Sequence, residues 1–136
     1  MGFTKALGRA AFGGFFLYNG INHFREIESM KAYAAAKEVP YPEFAVKATG
    51  SLLIASGLSL LLGIRPRVGA TGVAAFLAAV SPAMHNFWKQ TDAGQKQNEL
   101  IHFSKNMALL AAALSMSGDE YVERSCGAGY CEADPA

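Results

Sequence analysis

Apolar residues gather in four long stretches of this chain, and short segments between them carry most of the charge. The stretches cover residues 6–24, 44–63, 68–88 and 100–117. An α-helix needs about 20 apolar residues to cross a hydrocarbon core about 30 Å thick, and each stretch is close to that length. The pattern therefore predicts four membrane-spanning helices.

The two middle stretches separate a membrane protein from a soluble one. Residues 44–63 contain one charged residue, Lys47, and residues 68–88 contain none apart from the titratable His85. A surface helix of a soluble protein needs a polar face that recurs every 3.6 residues, and neither stretch has one. A domain of 136 residues could bury one such helix but not two. We therefore predict an all-α fold, an integral membrane four-helix bundle.

The connections between the stretches add detail to this bundle. Residues 25–39 place apolar and charged side chains on opposite sides of a helix, and prolines follow, which predicts a short interfacial helix between spans 1 and 2. Residues 64–67 form a minimal turn, so spans 2 and 3 should be antiparallel neighbours. Small residues at four-residue spacing predict close helix packing. They are Ser51, Ala55, Ser59 and Gly63 on span 2, and Ala70, Ala74 and Ala78 on span 3.

The segment after the fourth stretch differs in composition from the predicted transmembrane domain, residues 1–118. Residues 119–136 are polar and acidic and include Cys126 and Cys131, which predicts a flexible tail. The two cysteines fit reduced thiols, or a local disulfide on an oxidising side of the membrane. They do not complete a structural zinc site, which needs four ligands.

Composition and charge exclude some partners and leave orientation weakly determined. The chain is 51% hydrophobic and 17% charged with a net charge of +1, so it lacks the basic surface that nucleic-acid binding requires. Lysine and arginine are equally frequent on the two predicted sides. Because the compact turn with Arg65 and Arg67 should resist translocation, we expect cytoplasmic termini. We expect a prokaryotic-type inner membrane or its organellar equivalent.

Polar residues recur at one end of the predicted bundle, where spans 1 and 3 end and spans 2 and 4 begin. This end, called the far end below, contains all three histidines of the chain. Glu99, His102 and Asn106 share one helical face on span 4. The candidate ligand-binding residues are Asn22, His23, Lys47, His85, Glu99, His102, Lys105 and Asn106. Lys47 and Lys105 need partners near the membrane boundary, and Glu43 and Glu99 are the nearest candidates.

Two interpretations of this cluster stay open. Histidine, asparagine and lysine are common at the headgroup level, so the residues could form only an interfacial belt. Alternatively they could line a pocket for a polar head with a lipid-embedded tail, such as a quinone. Two histidines at one depth permit a haem geometrically but do not indicate one. Three histidines and a carboxylate are equally weak grounds for a metal, and we expect none.

Five segments occur in an order that is familiar from one family. They are NHF at 22–24, VPYP at 39–42, TGSLLIASGLSLLLG at 49–63, HNFW at 85–88 and HFSKNMALL at 102–110. This set resembles the DoxX-like membrane proteins. The resemblance implies a small four-helix membrane fold, and the family's name derives from a membrane component associated with thiosulfate:quinone oxidoreductase. Its recurring polar positions correspond to Asn22, His23, His85, Lys105 and Asn106. The cysteine-containing tail is not part of the resemblance.

Three functions are compatible with these observations. The first is a small, non-catalytic membrane subunit that packs against other chains, or against copies of itself, in a redox or energy-converting complex. The second is a quinone-linked oxidoreductase component, in which a histidine or Lys105 hydrogen-bonds the quinone carbonyl. Glu99 and His102 would then handle protons. The third is a small-molecule carrier, which four short helices accommodate only with difficulty.

Overall fold

The computed structural model of the protein describes residues 2–127, with side chains from residue 2 to residue 118. Within that part of the chain the structure is all-α and contains no strand, which confirms the all-helical part of the predicted fold class. The helices are α1 (Phe3–Arg25), α2 (Ile27–Ala36), α3 (Pro42–Leu62), α4 (Pro66–Met84) and α5 (Ala93–Gly127). A single 3₁₀ turn, Phe87–Lys89, lies between α4 and α5.

Each predicted span corresponds to one long helix, but several ends differ. Helix α5 begins at Ala93 because the carboxylate of Asp92 accepts a hydrogen bond from the Gln95 amide at 2.8 Å and caps the first turn. It continues past the predicted end of the domain to Gly127. Helix α4 ends four residues before the predicted boundary, two residues after the internal Pro82. The predicted interfacial segment is helical as α2.

Among the described residues, two helical segments are long and apolar enough to cross a membrane, Pro42–Leu62 and Pro66–Lys89. Helices α1 and α5 do not reach the same apolar content. Length and composition alone therefore identify two of the four predicted crossings.

Helix α3 is the centre of the arrangement. It packs against α1 on one side and α4 on the other, α5 packs against α4, and α2 lies across α3. The short turn after α3 uses left-handed backbone at Gly63 (φ 71°) and Arg65 (φ 48°), which confirms α3 and α4 as antiparallel neighbours. Apolar side chains from all four long helices form one core. Its buried members are Phe16, Leu53, Leu60, Ala70, Val73, Ala74, Leu77 and Ala113.

Helices α1 and α3 approach each other closely through glycines. A Cβ atom added at Gly57 would lie 2.5 Å from the backbone nitrogen of Leu17, and one at Gly20 would lie 2.8 Å from that of Ile54. Gly13 lies seven residues before Gly20 on α1, and Gly50 lies seven residues before Gly57 on α3, so the two antiparallel helices meet at a pair of glycines on each. The predicted small-residue packing is therefore wrong in part. Ala70 and Ala74 are buried, but Ser51, Ala55 and Ala78 are exposed, because α3 and α4 turn other faces towards their neighbours.

Candidate functional site

A cavity of about 610 Å³ lies at the far end, beneath α2 and between α1, α3 and α4. Its walls are mostly apolar, and Met30 and Ala34 line it from α2. Polar groups in the lining come from each of the surrounding helices and are His23, Glu26, Ser29, Tyr33, Thr49 and His85. A mostly apolar cavity with a few convergent polar groups is typical of a small-molecule site.

His85 connects this cavity to a polar network on α2 and α5. Its Nδ1 lies 2.7 Å from Oε2 of Glu99, and the other carboxylate oxygen, Oε1, accepts a hydrogen bond from Nζ of Lys37 at 2.6 Å. The three side chains are only 12–19% exposed. Glu99 therefore holds together the end of α2, the end of α4 and the start of α5.

Two further predicted residues extend this network along α5. The His102 ring stacks on the His85 ring with centroids 5.1 Å apart and planes 17° apart. Nζ of Lys105 lies 3.4 Å from Nδ1 of His102. The expected pairing of Lys105 with Glu99 is wrong, because Glu99 pairs with Lys37 and His85 and the ammonium of Lys105 lies against His102.

The other predicted residues lie near the cluster in different roles. His23 lines the cavity, and its Nδ1 lies 2.7 Å from the carbonyl of Asn19 on its own helix. Lys47 pairs with Glu43 at 2.6 Å as expected, but both side chains are more than half exposed and neither lines the cavity. Asn106 is buried at 8% exposure, and Asn22 is half-buried at the end of α1.

The charge state of Glu99 follows from these contacts. Burial alone would raise the pKa of its carboxyl, because the charged form loses hydration. The hydrogen bonds that the carboxylate accepts from Lys37 and His85, together with the charge of Lys37, outweigh that effect, so the pKa lies below its ordinary value. Glu99 is therefore a carboxylate at neutral pH and accepts hydrogen bonds on both oxygens.

Sequence analysis missed Lys37, the residue that completes the network. It caps the C-terminal end of α2, where Pro40 and Pro42 prevent the helix from continuing. Its position at the end of the short helix, next to the far end, was the signal that could have identified it. Within the described side chains, no group of three or more potential ligands is placed to hold a metal ion. Cys126 and Cys131 lie outside the described side chains.

Within the described residues the fold is all-helical, and two of its apolar helical segments are long enough to cross a bilayer. The DoxX family model matches residues 4–86, which is more than half of the chain and includes helices α1 to α4. The chain belongs to the DoxX family, as the sequence motifs predicted. The match ends before the motif at residues 102–110, so Glu99, His102, Lys105 and Asn106 lie beyond it. No curated protein and no solved structure matches the chain.

Proposed function

We propose that this DoxX-family membrane protein binds the ring of a quinone-class molecule in the far-end cavity, as a component of a membrane redox system. The chain would cross the bilayer four times through α1, α3, α4 and α5, with its termini in the cytoplasm and α2 at the interface. The ligand tail would leave the cavity into lipid. The ring would remain between His23 and His85.

One observation carries this proposal: the only two histidines of the cavity lining converge on a volume of about 610 Å³ whose other walls are mainly apolar. A mostly apolar cavity with converging polar groups is typical of a small-molecule site, which favours a bound ligand over an interfacial belt. The volume is within the range of about 300–1,000 Å³ that small-molecule sites occupy. A quinone combines an apolar ring with two polar oxygens, which matches this lining.

The test fills the cavity without touching its polar groups. Ala79 and Ala83 both line it from α4, so Ala79→Phe combined with Ala83→Phe should occupy the space that the ring needs. The matched control is Ala75→Phe with Ala78→Phe, because both residues are exposed on the same helix and neither lines the cavity. Each protein is extracted gently from its own membranes, and native mass spectrometry and solvent extraction identify what it retains.

We expect the wild type and the control to retain a quinone and the filled variant to lose at least about 90% of it, a tenfold change in affinity. Equal retention in all three proteins would contradict binding in this cavity. A wild-type protein that carries no quinone, even after incubation with one, would contradict the proposed ligand class.

A second function, as a subunit of a larger membrane complex, is favoured by the outer surface of α3 and α4. Ser51, Ala55, Ala75 and Ala78 are exposed there, and small residues on a lipid-facing surface allow another helix to approach closely. The same native mass spectra test it. Masses from other chains, or a small multiple of 14.4 kDa, would support a hetero-complex or a homo-oligomer respectively.

A further inference from the structure

The position of the proton on His85 follows from its contact with Glu99. An ionised carboxylate can only accept hydrogen bonds, so the 2.7 Å contact requires a hydrogen on Nδ1 of His85. In a neutral imidazole the other nitrogen, Nε2, then carries a lone pair and is an acceptor. Nε2 makes no hydrogen bond within the described residues, and His85 lines the cavity.

Lys37 already supplies a cationic partner for Glu99, because its ammonium lies 2.6 Å from the carboxylate. His85 therefore needs only the hydrogen on Nδ1 to complete its contact with Glu99. One face of the His85 ring stacks on His102, whose Nδ1 lies 3.4 Å from the ammonium of Lys105. These contacts leave Nε2 of His85 as the ring nitrogen available to a ligand in the cavity.

We infer that the cavity selects the reduced, hydroquinone form of its ligand, with one phenolic hydroxyl donating a hydrogen bond to Nε2 of His85. The inference rests on the proposed function and specifies the oxidation state that the site recognises. A quinone carbonyl has no hydrogen to donate, so it would meet the lone pair of Nε2 and leave two acceptors facing each other. An unpaired buried polar group is costly, and this cost is the source of the selectivity.

The test compares three ligands that share one ring and one short tail. They are a benzoquinone, its hydroquinone, and the dimethyl ether of the hydroquinone, which retains the oxygens but has no hydroxyl hydrogen. The full chain in detergent is incubated under argon with each ligand separately and passed through gel filtration. Bound ligand is then extracted and quantified, with empty micelles as the blank. We expect the hydroquinone to bind about tenfold more tightly than the quinone or the ether.

If Glu99 orients His85, Glu99→Gln should change the preference for hydroquinone over quinone. A purely structural role of Glu99 would leave that preference unchanged. Lys37 has only donors, so it should face the amide oxygen of the glutamine and turn the amide NH₂ towards Nδ1 of His85. Nδ1 must then accept, and the hydrogen moves to Nε2, which becomes a donor to a carbonyl. We expect the preference for hydroquinone to fall at least about tenfold, to parity or to a preference for quinone. The matched control is Glu43→Gln, another carboxylate paired with a lysine that does not contact His85.

The outcomes separate the two proposals. If none of the three ligands binds the wild type, the proposed function fails. If all three bind equally, or if the ether binds as well as the hydroquinone, ligand binding stands and the selection through Nε2 is wrong. If Glu99→Gln keeps the full hydroquinone preference, the orienting role of Glu99 is wrong. If it does not fold, the comparison of hydroquinone with ether in the wild type still decides the inference.

Discussion

The contact between α1 and α3 and the far-end cavity show two opposite ways of joining helices. Along α1 and α3, glycines bring the backbones so close that a single added Cβ atom would overlap the neighbouring chain. At the far end, a cavity of about 610 Å³ separates α2 from α4. A network of three charged or titratable side chains joins both helices to α5. The first contact depends on shape alone, whereas the second depends on hydrogen bonds around a space.

This difference indicates which part of the molecule is closely packed and which part has room for the ligand that we propose. Close backbone packing maximises dispersion contacts and has no room for a ligand. The far end has fewer dispersion contacts between its helices. An ion pair between Lys37 and Glu99, which are 62 positions apart in sequence, stabilises it instead. Mutations should therefore act through volume at the glycine contact and through charge at the far end.

The largest expected effect comes from adding one methyl group to the glycine contact. In Gly57→Ala the new carbon would lie 2.5 Å from the backbone nitrogen of Leu17, and backbone cannot move aside as a flexible side chain can. We expect a loss of about 3 kcal/mol in the free energy of unfolding, at the upper end of the usual cost of overpacking. Thermal unfolding in detergent, followed by circular dichroism, measures it.

Gly14→Ala on α1 is the matched control, because no atom lies within 4 Å of an added Cβ there. Removing a glycine from a helix interior should leave stability unchanged or raise it by up to about 1 kcal/mol. Equal losses in the two variants would show that helix flexibility, and not the contact with Leu17, sets the requirement for glycine.

An intermediate effect is expected from removing the ammonium group that ties α2 to α5. Lys37→Met leaves Glu99 with only 12% exposure and one remaining partner, His85. Removing one member of a fully buried pair costs about 3–5 kcal/mol, and the partial exposure here lowers the expected loss to about 1–2 kcal/mol. Unfolding under the same conditions as for Gly57→Ala gives the value.

Lys47→Met is the control for this variant, because its pair with Glu43 has the same 2.6 Å separation but is about half exposed. An exposed pair contributes little, so we expect a change below about 0.5 kcal/mol. If both lysine variants lose the same stability, burial does not distinguish the two pairs, and the network is no more than a surface feature.

Much of the fold was predictable from the sequence because apolar stretches of about 20 residues leave few alternatives. The four long helices, the short helix and the tight turn after α3 were predicted from hydropathy and proline positions. The far-end grouping of His23, His85 and His102 followed from counting alternating helices. The sequence did not predict which face of α3 packs against α1. Small residues occur on several sides of α3, and only the packing selects Gly50 and Gly57.

The site was predictable as a region but not as a set of contacts. Glu99 was expected to pair with Lys105 because the two are close in sequence, yet it pairs with Lys37, which is distant in sequence. A long lysine side chain reaches whichever carboxylate the helix packing places near it, and this packing is not encoded in local spacing. The cavity likewise depends on how far α2 stands from α4, which no periodicity reports.

The smallest predicted effect concerns the acid sensitivity of the far end. Because the folded-state pKa of Glu99 lies below its ordinary value of 4.5, the carboxylate contributes stability that is complete above pH 4.5. That contribution is lost as the pH falls through the folded-state pKa, when protonation weakens the contacts with Lys37 and His85.

The variant Glu99→Gln has no carboxyl to titrate at this position. The amount by which its unfolding temperature lies below that of wild type should therefore shrink by about 2 °C between pH 6 and pH 3. Glu43→Gln, whose pair is exposed, should stay parallel to wild type within about 1 °C. If Glu99→Gln also stays parallel to wild type down to pH 3, the charge of Glu99 does not hold α2 to α5. The far end would then depend on shape, as the glycine contact does.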